Sequence, residues 1–343
     1  SMGKYDGETD NWMWPRQTCD YSVFRIYDDP KTNGPANYSK DNVPYHPKSW
    51  APVCMDGYKP GDFCMIMGYP GSTSRYLSSY GIQERRDAQN APRAQVRGVK
   101  QDIMLRHMRA NEAVRIMYDS KYASSSNYWK NSIGMNKCID SIGLIQQKEQ
   151  FEARIRLWLD TAKVAKPSGL DFAKMAELYQ KRQGLTRVRT LFIETFLMQD
   201  ELSTRAWRLN WRMPVKGPEN KPNKQYHEFA DNSNEWDKAT DSEILAALLK
   251  NYREQVADAE WLPDFYKTID VQFKGDYTAY VNALYNKSVL MKGKPIYFNK
   301  KSYKKDLGVQ YSLDLADLLA KLNVACRSLN EGIAEQEKLL CDA

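Results

Sequence analysis

The sequence lacks several features that would assign it to a simple class. It contains no run of about 18 apolar residues, so no membrane-spanning helix is expected. It has no RNA-binding motif and no block of five or six consecutive basic residues. The net charge of +7 over 343 residues therefore does not indicate a nucleic-acid partner. No signal peptide is visible, and Ser1 and Met2 read as a cloning tag.

Cysteine and histidine are scattered. The six cysteines include no Cys-x-x-Cys pair, which argues against a zinc site, and they allow about 15 full disulfide pairings, so none can be deduced. The three histidines are His46 in a Pro-rich loop, His107 in a helical segment and His227 in a polar linker. None is expected to be a catalytic base, and no Gly-x-Ser-Gly block offers a nucleophile. No metal or organic cofactor is predicted.

The composition changes near residue 70. Residues 1–70 contain 8 of the 15 prolines and carry a net charge of −2, whereas residues 71–343 carry +9. The early segments "DYSVFRIY" and "DFCMIMGYPG" are typical of strands, and a long polar stretch separates them. About five strands would leave sheet edges unpaired, so we expect this part to belong to a larger β-domain.

Beyond residue 95 the apolar spacing becomes helical. One helical pattern runs over residues 136–159. The segment "TDSEILAALLKNYREQ" opens with Thr240 and Glu243, a capping-box signature. Near the C-terminus a single apolar stripe consists of Leu315, Leu318, Leu319, Leu322, Cys326 and Leu329. These patterns predict a large helical domain.

Five motifs together resemble one family. "DNWMWPR", "DYSVFRIY", "GDFCMIMGYPGSTSRYL", "RGVKQDI" and "SKYASSSNYWKNSIGMNK" are similar in order and spacing to blocks of the bacterial dipeptidyl-peptidases of serine peptidase family forty-six, over roughly residues 8–140. The resemblance implies a hydrolase that removes dipeptides from the free N-terminus of oligopeptides by acyl-enzyme chemistry. It also implies export to the periplasm or outer surface of a Gram-negative bacterium, and it is compatible with a homodimer of the full-length protein.

The resemblance also implies a mixed fold. Residues 1–75 are expected to form an incomplete part of a chymotrypsin-like double β-barrel, and residues 76–343 an all-α inserted cap domain. In the family the catalytic His precedes this region and the catalytic Ser follows it. The chain is therefore expected to be an internal fragment that is inactive alone.

Five site residues follow from the matching blocks. Asp20 is expected to be the triad carboxylate, which would hold the catalytic imidazole in one tautomer. Asn11, Trp12 and Asn127 match positions that clamp the substrate's free α-amine, since an ammonium group needs oxygen acceptors and is attracted to aromatic faces. Arg16 is expected to support this wall by charge-assisted hydrogen bonds.

Two other function classes stay open at this point. The family usually has His-Thr-Gly before the triad aspartate, whereas this chain has Gln17, Thr18 and Cys19. This departure favours a catalytically inactive helical binding or scaffold protein derived from the same fold. The 22 tyrosines and 9 tryptophans also suit a carbohydrate-binding module, which would not explain the helical two-thirds. The preferred residue before the scissile bond is not predicted.

Overall fold

The computed structural model describes residues 24–342 apart from 33, 64, 66–73, 75, 162–168, 198, 213–225, 228–234, 293–295 and 298–302. The chain consists of two compact units, Ser1–Ser74 and Arg75–Ala343. The assignment of residues 76–343 to the cap domain of a larger protein stays a prediction.

The described part of the first unit contains little regular structure. Strand β1 (Tyr27–Asp28) pairs antiparallel with β2 (Val43–Pro44), and each strand is two residues long. The Tyr45 amide donates to the Ile26 carbonyl at 2.9 Å and extends the pairing by one bond. The remaining described residues up to 63 form turns and irregular backbone.

The prediction that residues 1–75 form part of a double β-barrel is wrong. Although "SVFRIY" has strong β-propensity, Phe24 is 86% exposed and Ile26 is 66% exposed, so neither packs as a barrel strand would require. The six prolines between residues 30 and 60 also remove backbone donors that a sheet needs. Most of the second predicted strand, residues 62–71, lies outside the described residues.

The second unit is helical. Its α-helices within the described residues are α1 (Ser79–Glu84), α2 (Ala91–Ala110), α3 (Glu112–Ser141), α4 (Leu144–Thr161), α5 (Phe172–Phe196), α6 (Glu201–Arg212), α7 (Lys238–Gln255), α8 (Phe265–Phe273), α9 (Tyr277–Lys287) and α10 (Leu307–Asp342). The second unit also contains three 3₁₀ turns, Ala259–Trp261, Val289–Met291 and Tyr303–Lys305, and one antiparallel pair, β3 (Tyr226–His227) with β4 (Ile296–Tyr297). Within these described ranges, no helix has the length and apolar character to cross a bilayer.

A π-helical stretch, Arg85–Asn90, connects α1 to α2. Pro92 follows in the first turn of α2 and has no N–H to donate to the carbonyl four residues earlier, which favours a change of hydrogen-bond pattern here. Asn136 of α3 fixes the stretch, because it accepts a hydrogen bond from the Asn90 amide at 2.8 Å and donates one to the Arg86 carbonyl at 3.0 Å.

The apolar core lies where α2, α5, α6, α7, α9 and α10 meet. Helix α2 packs against α3, α5 and α7, and α10 packs against α5 and α6. Phe196, at the end of α5, has its ring centroid 4.7 Å from that of Tyr252 and 5.3 Å from that of Phe192. All three rings are buried. Burial of such apolar surface, worth about 25 cal/mol per Å², is the main stabilising contribution.

Buried carboxylates connect the helices at the edge of this core. Glu84 of α1 accepts hydrogen bonds from Arg182 Nε at 2.9 Å and from the Thr186 hydroxyl at 3.0 Å, both on α5. Glu152 of α4 accepts from the backbone N–H of Ser79 at 2.6 Å and from its hydroxyl at 2.8 Å. An unpaired buried carboxylate is costly, so these contacts determine which helix faces can meet.

The predicted apolar stripe near the C-terminus is confirmed, since its members Leu315, Leu318, Leu322 and Cys326 are buried on α10. The predicted segment 136–159 is helical but in two pieces. Gly143 has a φ of 60°, a left-handed conformation that glycine adopts without strain, and it separates α3 from α4.

The predicted capping box at Thr240 is wrong by three residues. The N-cap of α7 is Asp237, whose carboxylate accepts from the Thr240 N–H at 2.8 Å and from the Thr240 hydroxyl at 2.7 Å. Asp and Thr are both good N-cap residues, so local preference does not separate them. Glu243 instead pairs with Arg106 and His107 of α2.

Two glycines within helices give opposite predictions. A Cβ at Gly308 of α10 would lie 2.9 Å from the Ser288 Cβ and would displace the Ser288 hydroxyl from its 2.7 Å bond to Asp306. We therefore expect Gly308→Ala to lower the free energy of unfolding by about 1–3 kcal/mol despite its better helix propensity. Gly184 of α5 has nothing within 4 Å of such a Cβ. Gly184→Ala should raise that energy by about 0.5–1 kcal/mol.

Urea unfolding of both variants tests this pair. The Gly184→Ala variant is the matched control, because it makes the same chemical change in a helix without the steric conflict. Equal stability of the two variants would contradict the close approach of Ser288 to α10.

Candidate functional site

Of the five residues predicted for the site, the structure describes Asn127. Asn11, Trp12, Arg16 and Asp20 lie outside the described residues. Asn127 is exposed on α3, in the middle of the motif "SSSNYWKNS". The described part of the candidate site therefore consists of α3 and the helices that pack against it.

A cavity of about 430 Å³ lies beside this part of α3, with walls from α2, α3, α6 and the start of α7. We call it the Asp200 cavity; its charged lining residues are Arg97, Lys100, Lys121, Asp200, Glu201, Arg208, Glu235 and Asp241. Ser120 and Ser124 also line it. Asn127 is seven residues beyond Ser120, which in an α-helix brings it back to within about 20° of the same face. Asn127 thus lies at the edge of the helix face that borders the cavity.

Arg97 of α2 holds the turn of α3 that contains Asn127. It donates to the Ser125 carbonyl at 3.4 Å, and its guanidinium carbon lies 4.9 Å from the centre of the Tyr128 ring. A cation–π contact of this kind contributes about 0.5–2 kcal/mol. Asn127 lies between the two residues that Arg97 contacts, so Arg97 restricts where the Asn127 backbone can be.

Arg97 is itself fixed by a buried carboxylate of α5. Glu194 accepts from Arg97 Nε at 2.7 Å through one oxygen and from Arg93 Nε at 2.8 Å through the other. Arg93 and Arg97 are four residues apart on α2 and so share one face. The Glu194 side chain is 4% exposed. A carboxylate bound by two guanidinium groups in this way forms strong, directional hydrogen bonds.

The inner wall of the cavity carries two carboxyl groups and a lysine. Asp200 caps α6, because its Oδ1 accepts from the Ser203 N–H at 2.8 Å. Asp241 of α7 accepts from the Tyr285 hydroxyl at 2.7 Å and from the Glu201 N–H at 2.8 Å. Lys100 of α2 donates from Nζ to the Gln199 side-chain oxygen at 3.0 Å, and its side chain is buried.

Burial shifts the pKa of each of these three groups in the direction that favours its uncharged form. Desolvation, with the neighbouring Asp241 carboxylate as a second cause, raises the pKa of Asp200 to about 7. Desolvation likewise raises the pKa of Asp241. Desolvation, with the nearby Arg97 charge as a second cause, lowers the pKa of Lys100 to about 8. The cavity therefore holds groups that can change protonation near neutral pH.

The described residues do not form a catalytic triad. His107 Nε2 lies 2.7 Å from Glu243 Oε2, so this imidazole faces a carboxylate and not a hydroxyl or thiol. His46 is exposed, and the side chain of His227 is not described. Within the described residues no three His, Cys, Asp or Glu side chains lie together as metal ligands would. What this arrangement can do is bind a polar ligand and hold Asn127 in place.

Sequence reasoning missed Arg97, Glu194, Lys100, Asp200 and Asp241. Local sequence signals were present for two of these five residues, Glu194 and Asp200. Glu194 interrupts the apolar run "LFIETF", and a charge in such a run indicates a buried, paired group. Asp200 directly precedes a helical segment, which is typical of an N-cap.

The comparisons of this chain with protein families and with curated proteins agree on one family. The family model described as Peptidase S46 matches residues 1–343. Dipeptidyl-peptidase 7 of Phocaeicola vulgatus is 40% identical over 94% of this chain and 46% of its own length. The Asp/Glu-specific dipeptidyl-peptidase of Porphyromonas gingivalis is 34% identical over 84% of this chain and 41% of its own length. The chain spans about half the length of the curated relatives it matches, or less.

The fold is also similar to a solved structure. The crystal structure of Porphyromonas endodontalis DPP11 in complex with the dipeptide Arg-Glu matches 99% of this chain and 50% of that chain. Its TM-score is 0.74 and its sequence identity is 28%.

The contact between Glu194 and its two arginines leads to a stability prediction. Glu194→Ala leaves two partly buried guanidinium groups without their carboxylate, so we expect it to lower the free energy of unfolding by about 3–5 kcal/mol. The matched control is Glu177→Ala on the same helix, since Glu177 forms a surface pair with Lys181 and is 60% exposed. That variant should change stability by less than about 0.5 kcal/mol. Urea unfolding measures both, and similar losses would contradict the role given to Glu194.

The raised pKa of Asp200 leads to a pH prediction. The folded state holds this proton up to about pH 7, whereas the ordinary aspartate pKa is 3.8. Between these values the folded state binds more protons than the unfolded state, so this group's contribution to stability falls as pH rises from about 4 to about 7. Asp200→Asn keeps the helix cap but removes the titration. We therefore expect the variant to gain stability relative to the original chain across this window.

Chemical unfolding at several pH values from about 4 to about 8 measures this difference. Asp102→Asn, at an exposed position of α2, is the matched control and should show no such pH-dependent gain. A stability difference for Asp200→Asn that does not change with pH would contradict the assignment.

Proposed function

Since the chain belongs to the peptidase S46 family, we propose that it is the part of a serine-type dipeptidyl-peptidase that binds the free N-terminus of an oligopeptide and orients the catalytic histidine. The complete enzyme would release dipeptides from that N-terminus through an acyl-enzyme intermediate. The observation that carries this proposal is the 40% identity to a dipeptidyl-peptidase over 94% of the chain.

In the proposed mechanism Asp20 hydrogen-bonds the catalytic imidazole, keeps it in one tautomer and stabilises its protonated form. The imidazole takes the proton of a serine hydroxyl as that oxygen attacks the peptide carbonyl, and later gives it to the leaving amine. We propose that both His and Ser come from the part of the relatives' length that this chain does not span. The contact of His107 with Glu243 supports this, because that imidazole is engaged elsewhere.

Asn11, Trp12 and Asn127 are proposed to bind the substrate's terminal ammonium group, with Arg16 supporting Asn11 and Trp12. A clamp of this kind would place the scissile bond two residues from the N-terminus and so restrict release to dipeptides. How precisely such a clamp positions the scissile bond depends on how firmly Asn127 is held, since small displacements of positioning groups reduce reaction rates strongly. The contacts of Arg97 with Ser125 and Tyr128, on either side of Asn127, support this role.

Three further properties are proposed from the family resemblance. They are export to the periplasm or outer surface of a Gram-negative bacterium, a homodimeric full-length protein, and a cap-domain role for residues 76–343. The relatives named above are dipeptidyl-peptidases from Phocaeicola and Porphyromonas, which agrees with a bacterial peptidase.

Paired fluorogenic substrates test the function in the full-length parent protein. One substrate is a dipeptide amide with a free N-terminus, and the other is its N-acetylated form. We expect hydrolysis of the free-amine substrate alone. Asp20→Ala should lower kcat by a factor on the order of 10⁴. Asn127→Ala removes one charge-assisted hydrogen bond and should lower kcat/KM by about 10–100-fold.

The matched control is Asn323→Ala on α10, an exposed asparagine that should leave hydrolysis unchanged. Equal cleavage of both substrates would rule out the amine clamp. Absence of cleavage in folded protein across several dipeptides would favour the catalytically inactive binding protein instead.

A further inference from the structure

The Asp200 cavity contains buried polar atoms that nothing in the described structure satisfies. Asp200 Oδ2 and the Ser125 hydroxyl are buried and have no hydrogen-bond partner within the described residues. Both residues line the cavity. A buried polar atom without a partner costs about 1–3 kcal/mol, more if it is charged, so such atoms in native proteins usually meet a ligand or water.

Positively charged groups with free donors line the same cavity. Lys100 donates to one partner, Gln199, although an ammonium group has three protons to give. Arg208 is exposed and forms no hydrogen bond or ion pair among the described residues. Lys100 and Asp200 do not form an ion pair with each other in the part of the chain that the structure describes, so each remains able to bind a third group.

Four of the other charged residues that line the cavity already have partners. Arg97 pairs with Glu194 at 2.7 Å. Glu201 pairs with Arg205 at 2.7 Å, and both of those side chains are nearly buried. Lys121 donates to the Glu235 carbonyl and lies 5.0 Å from the centre of the Tyr118 ring, and Asp241 accepts from Tyr285 and from the Glu201 N–H. The groups with unused hydrogen-bonding capacity are the acceptors Asp200 and Glu235 and the donors Lys100 and Arg208. Of the two acceptors Asp200 is the buried one.

We propose that the Asp200 cavity binds a small zwitterion, a free amino acid or a short peptide, with its ammonium group on Asp200 and Ser125 and its carboxylate on Lys100 and Arg208. A simple ion would satisfy groups of one sign and leave those of the other sign unpaired in a desolvated site. The volume of about 430 Å³ lies in the range of about 300–1,000 Å³ found for small-molecule sites. This site is additional to the amine clamp and needs no catalysis, so it does not rest on the proposed function.

Calorimetric titration of the 343-residue chain tests the proposal with glycine, glycylglycine and triglycine as probes. We expect one of them to bind with a stoichiometry of one, and the ranking of the three distinguishes an amino-acid site from a peptide site. Acetylation of its amine, or amidation of its carboxylate, should each weaken binding by about 10-fold or more. Acetate or methylammonium alone should bind more weakly than the best zwitterion.

Near-isosteric variants assign the binding to this cavity. Asp200→Asn preserves the helix cap, and Arg208→Gln changes an exposed side chain, so both should fold. Each should weaken binding of the best probe by about 10-fold. Asp317→Asn and Lys250→Met, at exposed positions of α10 and α7, are the matched controls and should leave the affinity unchanged.

Three results would overturn the proposal: no binding of any probe up to about 10 mM in folded protein, equal affinity for blocked and unblocked probes, or binding that Asn127→Ala abolishes and Asp200→Asn leaves intact. The last result would place the ligand in the proposed amine clamp. Hydrolysis is measured separately in the full-length parent, so failure of the dipeptidyl-peptidase assay would leave this binding result unaffected.

Discussion

The contact of Glu194 with Arg93 and Arg97 is the interaction on which the arrangement of the candidate site depends. A carboxylate this deeply buried requires compensation, and it obtains it from two guanidinium groups on one face of α2. The same contact joins α5 to α2 and orients Arg97. Arg97 then contacts α3 on either side of Asn127. A charge in the core therefore determines where a surface residue predicted to bind substrate can lie.

Other buried carboxylates have the same role elsewhere in the helical unit. Glu84 fixes α1 against α5, Glu152 fixes α4 against α1, and Asp241 fixes α7 against α9 through Tyr285. Apolar packing supplies most of the stability, but it tolerates sliding of one helix along another. Hydrogen bonds to a buried charge tolerate little displacement, so they select one register among many packed arrangements.

The two functional proposals share neighbouring parts of α3 but use different residues and different chemistry. At the amine clamp, an exposed Asn127 would accept from an ammonium group at the protein surface. In the Asp200 cavity, a buried carboxyl group and a buried lysine face a confined space, where each interaction is stronger because water is largely excluded. The same burial disfavours both charges when no ligand is present. A ligand that carries both signs would stabilise both groups at once.

The sequence alone determined the helical class of the chain beyond residue 75, the buried stripe of α10 and the family. Each of these rests on local periodicity or on short motifs whose residues are adjacent in the chain. Local preference was insufficient in the first unit, where the side chains of β-prone residues such as Phe24 and Ile26 stay exposed and are not packed against any described element. It also placed the cap of α7 at Thr240 instead of Asp237, since both residue types suit that position.

Only the tertiary structure decided the environment of Asn127 and the existence of the Asp200 cavity. The residues concerned are far apart in the chain: Arg97 meets Glu194 and Lys100 meets Gln199, each across about a hundred positions. Such pairs leave no periodic signal, because a single buried charge is compensated by whichever group the fold brings to it. Burial itself then sets the pKa values of Asp200 and Lys100, and burial is a property of the assembled helices and not of any one segment.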